Sequence, residues 1–187
     1  MVAVGQEMSN PITGERFVWR ETRESTAGSW CEFDLHLAAH AKVAASHRHP
    51  LQEERFSVIS GGLDVDVDGA RREAGPGETV VVPAGAAHRW ANLRGEESVV
   101  RVRLAPALAI EDYFEAFCAF ALAGRSSSLG VPRNPLQLAV LLDAHRAEFA
   151  LPTDRGQRLV SPLLAVLAAT GRRLGYTPSP DTGPGHP

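Results

Sequence analysis

Short runs in which apolar and polar side chains alternate, each stopped by turn-forming residues, fill the chain from residue 16 to residue 104. Period-two alternation gives an extended strand two unlike faces, so such a series folds only where one face is buried. Arg16 to Arg20 and Trp30 to Leu37 alternate, and Glu54 to Ser60 follows. Leu63, Val65 and Val67 stand opposite Asp64, Asp66 and Asp68, and the run ends in an Asp68-Gly69 turn. Thr79 to Val82 and Ser98 to Leu104 complete the set. Many short strands at this spacing predict an antiparallel sandwich or barrel.

After Pro106 the period changes. Tyr113, Phe117 and Phe120 recur at helical spacing, Leu138, Leu142, His145 and Phe149 give a second stripe, and Gln157 to Leu174 is a third candidate helix with Pro162 at its first turn or at a kink. Gly124 to Pro135 is rich in Ser, Gly and Pro and reads as a connector. The expected organisation is a β-barrel over residues 1–106 with its motif core at 40–104, a helical extension over 107–176, and a disordered tail over 177–187.

Composition narrows the function classes. A length of 187 residues suits one domain with appendages. The net charge of −3 and scattered basic residues lack the footprint that a nucleic-acid backbone demands. No apolar run approaches the ~20 residues of a membrane span, and the N-terminus has no basic segment leading an apolar one, so a cytoplasmic protein is expected. Cys31 and Cys118 lie in unrelated segments and predict no disulfide. A single lysine, Lys42, among 19 basic residues, with abundant Ala and Gly, is the bias of a high-GC coding sequence.

Two segments carry the chemistry. In the first, His47 and His49 are separated by one residue, so an extended strand presents both imidazoles to one point. A carboxylate a few residues on returns to the same point after a tight turn. Glu54 shares strand parity with Phe56 and Val58, whereas Glu53 faces away. In the second, the apolar strand Thr79 to Val82 is stopped by Pro83-Ala84-Gly85, and the chain re-enters with His88, a further ligand from another strand.

With these residues the chain resembles the cupin superfamily. Its first motif, G-x5-H-x-H-x3–4-E-x6-G, is met by His47, His49, Glu54 and Gly61, with Ala41 in place of the leading glycine. Its second, G-x5-P-x-G-x2-H-x3-N, is met in full by Gly77, Pro83, Gly85, His88 and Asn92. The resemblance implies a double-stranded β-helix, or jelly roll, followed by two or three helices, with His47, His49, Glu54 and His88 as metal ligands and the glycines, Pro83 and Asn92 as framework. Three imidazoles and a carboxylate suit one divalent Fe, Mn, Ni, Cu or Zn ion and leave positions open for water, substrate or O₂. No nucleotide cofactor is expected.

Phe56 and Trp90 share parity with their neighbouring ligand candidates and are expected to wall the pocket or to be plain core. His36, Arg101 and Arg103 alternate against apolar neighbours, which places them outside; turned inward, the arginines would clamp a substrate carboxylate. His145 reads as a packed helix residue. The stripe of Tyr113, Phe117 and Phe120 is expected to lay the helices against the barrel or against a second subunit, giving a homodimer, with a lid over the barrel mouth as the competing arrangement. The function expected is that of an enzyme on a small organic molecule, by Fe(II)-type oxygenation or by Lewis-acid isomerisation, cyclisation or dehydration. For a cupin from a high-GC bacterium, natural-product metabolism is the implied setting. The alternative is a non-catalytic binding or sensing module.

Overall fold

The computed structural model describes residues 2–41 and 45–180; Lys42 and the chain beyond Pro180 lie outside the described residues. The strands are β1 (Glu7–Asn10), β2 (Glu15–Glu21), β3 (Cys31–Leu37), β4 (Glu53–Ser60), β5 (Leu63–Val67), β6 (Ala70–Ala74), β7 (Thr79–Val82), β8 (His88–Ala91) and β9 (Ser98–Ala105). They form a six-stranded sheet in the order β1-β2-β3-β9-β4-β7 and a three-stranded sheet in the order β6-β5-β8. Every pairing is antiparallel. Three helices follow, α1 (Ile110–Leu122), α2 (Pro135–Ala144) and α3 (Asp154–Arg173). This is the expected jelly roll with a helical extension.

Alternation explains why the large sheet is two-faced. Phe17, Trp19, Phe33, Leu35, Phe56, Val102 and Leu104 are buried in one core. The opposite face carries acids from β3 and arginines from its two neighbours. Asp34 accepts from Arg20 Nε at 2.7 Å and from Arg101 Nε at 2.8 Å, and Glu32 accepts from Arg103 Nε at 2.8 Å. Burial works to raise the Asp34 carboxyl, but Arg101 and Arg20 outweigh it and hold the group below its ordinary range. Arg103 also lies over the Trp30 ring, 5.1 Å from its centre. The acids that alternation sends outward are therefore covered by the arginines, which stay half-exposed.

Turn chemistry sets the hairpins. Asp68 and Gly69 both have positive φ, 49° and 85°, as the two-residue turn joining β5 and β6 requires. Ala41, at the position where a glycine was noted as usual, accepts the Asn92 N–H at 2.6 Å, and the left-handed residue is its neighbour His40, with φ 61°. Asn92 is a buried brace: its Nδ2 donates to the carbonyls of Leu37, Ala38 and Glu96.

In the helical half one stripe is cut short and the position of Pro162 is decided. The second stripe does not stay helical to Phe149, because α2 ends at Ala144, His145 caps it, and residues 148 and 149 turn back onto the His145 carbonyl. α3 starts at Asp154 behind the Thr153 cap, so Pro162 lies in its interior instead of its first turn. The segment 177–187 begins as placed chain: Gln137 donates to the Thr177 carbonyl, and Arg125 Nη1 donates to the Pro180 carbonyl at 2.9 Å. Cys31 and Cys118 are buried and unpaired.

Gly61 ends β4 with φ 71°, and a Cβ there would meet Ser98 Oγ and stand 2.9 Å from Ser98 Cα. Gly61→Ala is therefore expected to cost about 2 kcal/mol of stability, read as a lowered midpoint in urea denaturation with unchanged slope.

Candidate metal centre

The two histidine segments meet edge to edge. His47 and His88 form an isolated antiparallel bridge, with His47 N–H donating to the His88 carbonyl at 3.0 Å and His88 N–H donating back at 2.8 Å. The turn after Pro83 is tied to the same place, because Gly85 N–H donates to the His49 carbonyl at 2.8 Å. Glu54 sits on the inward parity of β4 with Phe56 and Val58, while Glu53 turns away and pairs with Arg55 at 2.6 Å.

Three imidazoles converge. The candidate ligand atoms of His47, His49 and His88 lie within 4.8 Å of one another, and His49 and His88 are almost wholly buried. Each ring rests its Nδ1 on a backbone carbonyl: His47 on Ala45 at 3.3 Å, His88 on Ala86 at 3.3 Å, and His49 on Glu148 at 2.6 Å. A carbonyl can only accept, so the neutral rings carry their proton on Nδ1 and present the Nε2 lone pair inward.

Glu54 Oε2 stands 2.8 Å from His88 Nε2 and 3.3 Å from His49 Nε2. None of these three buried atoms makes an aligned hydrogen bond. Lone pairs brought this close call for a cation among them, and the donor set of three imidazoles and one carboxylate fits a first-row divalent ion. Two of the protonation states lean the same way, Glu54 ionised and His47 neutral, and that of His88 leans the other. Burial works to raise the Glu54 carboxyl, but His49 and His88 outweigh it and hold the group well below the carboxylate range. Burial pushes His47 down to about 3, with help from His88 and His49. For His88, burial works downward, but Glu54 prevails and raises it.

The cluster opens into a cavity of about 340 Å³ whose walls are mostly aromatic and aliphatic. Phe56 and Trp90 line it. His36, Arg101 and Arg103 do not; the inward orientation weighed for the arginines is corrected by their pairing with Asp34 and Glu32 on the far face of the sheet. His36 is likewise outside, its Nδ1 within 2.7 Å of Arg16 and 3.1 Å of Glu97.

The helical extension walls one side of the cavity. Tyr113 and Phe117 of α1, Leu142 of α2, and Val160 and Leu164 of α3 all line it, whereas Phe120 is buried in the core. Phe149 lies on the histidine rings themselves, its own ring 4.9 Å from that of His49 and 5.5 Å from that of His47. The loop between α2 and α3 is strapped to the histidine segment: Arg48 and Ala150 exchange backbone hydrogen bonds at 3.1 and 3.0 Å, and Arg48 Nη2 reaches Asp154 at 2.6 Å. Glu148 Oε1 in turn accepts the Ala109 N–H at 2.9 Å, and His145 packs beside it. Neither Phe149 nor Glu148 is found by motif spacing. Glu15, which also lines the cavity, shares strand parity with Phe17 and Trp19, and that was its signal in the sequence.

A family model described as a cupin domain matches residues 33–104. No curated protein matches the chain. Among solved structures, KdgF from Halomonas sp. is 16% identical with a TM-score of 0.50, over 59% of this chain and 94% of that one. An RmlC-like cupin from Shewanella frigidimarina is 14% identical with a TM-score of 0.47, over 57% and 88%. A sugar phosphate isomerase of the cupin superfamily from Silicibacter pomeroyi is 20% identical with a TM-score of 0.44, over 55% and 67%. At these identities the likeness is one of fold.

Because Phe149 bridges the lid and the histidine rings, Phe149→Ala is expected to cost about 2–3 kcal/mol in urea denaturation and to raise binding of a hydrophobic dye.

Proposed function

From the premise that the chain is a cupin-superfamily protein, its domain match running over residues 33–104, we propose that it is a metal-dependent enzyme acting on a small organic molecule. The observation that carries this reading is the set of three imidazoles whose Nδ1 atoms all rest on backbone carbonyls beside a mostly apolar cavity. His47, His49, Glu54 and His88 would hold one divalent Fe, Mn, Ni, Cu or Zn ion, which supplies Lewis acidity or O₂ activation when bound. The chain's own residues do the rest. Phe56, Trp90, Tyr113, Phe117 and Phe149 bind and orient an apolar substrate, which displaces water from the reacting atoms as it enters.

Oxygenation and redox-neutral isomerisation, cyclisation or dehydration both suit an apolar site of this kind, and an apolar natural product is the kind of substrate its wall favours. The homodimer belongs to the same proposal: Leu159, Leu163 and Val166 stand out from α3 at more than half exposure, a surface for a two-fold partner.

The purified protein is expected to carry about one divalent first-row ion per chain by elemental analysis, and the His47→Ala/His49→Ala double variant to carry none, since too few donors remain to compete with water. Glu54→Gln is expected to weaken metal retention and Glu53→Gln to leave it intact; the reverse order overturns the ligand assignment. O₂ consumption with a panel of aromatic and polyketide-like compounds separates oxygenation from redox-neutral conversion under anaerobic conditions. Metal binding without turnover of any compound would favour a binding or sensing module. In light scattering coupled to size exclusion, a mass near twice 20.1 kDa is expected, and a concentration-independent mass near 20.1 kDa rules the dimer out.

A further inference from the structure

The cavity has a second polar end. Glu54 lies level with Leu104 of β9 and hence with Cys31 of β3, whereas Glu15 of β2 lies level with Leu37. The offset is six residues along β3, on the order of 20 Å at the rise of a strand, and both carboxylates line the same cavity. At the Glu15 end the connector between α1 and α2 forms the cap. Gly130 permits this, since a Cβ there would stand 2.7 Å from the Phe117 ring and 2.8 Å from Thr13.

Glu15 is an anomaly in this apolar wall. It is 8% exposed, it accepts from Thr13 Oγ1 at 2.5 Å, and no cationic side chain pairs with it among the described residues. Burial pushes its carboxyl up to about 7, against the Thr13 hydrogen bond that pulls it down. Arg146 lines the same cavity but does not pair with Glu15, and the ionisable groups that feel its charge are Tyr113 and Cys118, both raised chiefly by their own burial and further by Glu15. Neither offers a positive charge. Rings complete the surroundings: Phe17, two residues on, packs against Phe114 at 4.9 Å, and Tyr113 stacks on Phe117 at 6.1 Å.

A desolvated carboxylate flanked by aromatic faces is suited to an organic cation, because the charge attracts the cation and the ring quadrupoles add to it. A neutral hydroxyl gains little from the rings, and a substrate carboxylate is repelled. We propose that Glu15, with Thr13, is a recognition site for the protonated amine of an otherwise apolar substrate, held with its other end at the His47, His49 and His88 cluster. This deepens the enzyme reading above and rests on it for the position of the reacting end.

The test uses 4-phenylbutylamine and its neutral counterpart 4-phenylbutanol, titrated calorimetrically into the full-length protein at about pH 8, with metal content measured on the same samples. The amine is expected to bind at least about tenfold more tightly than the alcohol. Glu15→Gln is expected to erase most of that preference while circular dichroism and metal content stay unchanged, and Thr13→Val to reduce it. Near pH 7 the amine should release protons on binding to the wild type and none on binding to Glu15→Gln, a readout that loss of packing does not imitate. The preference should persist after the metal is stripped, which separates this proposal from the metal assignment. Equal affinity for the two probes, no detectable amine binding, or a preference that survives in Glu15→Gln overturns it.

Discussion

The hydrogen bond from His49 Nδ1 to the Glu148 carbonyl, 2.6 Å long and fully buried, is the point on which barrel and helices depend in common. It fixes the tautomer of a histidine at the centre of the cluster, and it does so from the helical half of the chain. The strap beside it, Arg48 with Ala150 and Asp154, holds the same loop down, and Phe149 between the two fills the space over the rings. The extension is therefore part of the site. The barrel alone holds His47, Glu54 and His88, and the extension supplies the partner of His49 and one wall of the cavity.

The same economy appears on the outer face of the large sheet. β3 carries Glu32 and Asp34 between two strands rich in arginine, and the register sets Arg101 against Asp34 and Arg103 against Glu32. Cross-strand pairs of opposite charge stabilise antiparallel neighbours and fix their register. They also leave the inward positions of β9 to Val100, Val102 and Leu104, so the wall of the cavity stays apolar. The charge that the sequence spends on these strands thus works for the cavity by staying out of it.

What could be read from the sequence follows the range of the interactions. His47, His49 and Glu54 lie within eight residues of each other, and strand parity alone separates Glu54 from Glu53. The jelly roll is similarly legible because its strands and turns, such as Asp68-Gly69, are written locally. Partners distant in the chain were not legible. Phe149 appeared as the end of a helical stripe, yet α2 stops at Ala144 because the chain folds back at His145 to reach the barrel. Glu15 had a local signal, its shared parity with Phe17 and Trp19, but a glutamate at the start of a strand is usually solvated, and only the tertiary fold buries it. For Arg101 the default outward reading gives the observed face, and Asp34 on the neighbouring strand is what holds it there.

The separation of these partners along the chain has a consequence for biosynthesis. His49 and Glu148 are 99 residues apart and Arg48 and Asp154 are 106 apart, so the contacts that finish the cluster are among the most non-local in the molecule. At about 5–20 residues per second, a ribosome adds Glu148 roughly 5–20 seconds after His49. Only in the later part of that interval, once β9 (Ser98–Ala105) has been added, can the nascent barrel pair all its strands, and even then the His49 ring has no acceptor and the cavity has no roof. Closure of such a long loop carries an entropic cost that only the later packing of α1 to α3 offsets. The order of synthesis therefore makes the barrel first and the finished site last, with an interval in between when the cavity stands open to whatever must be loaded into it.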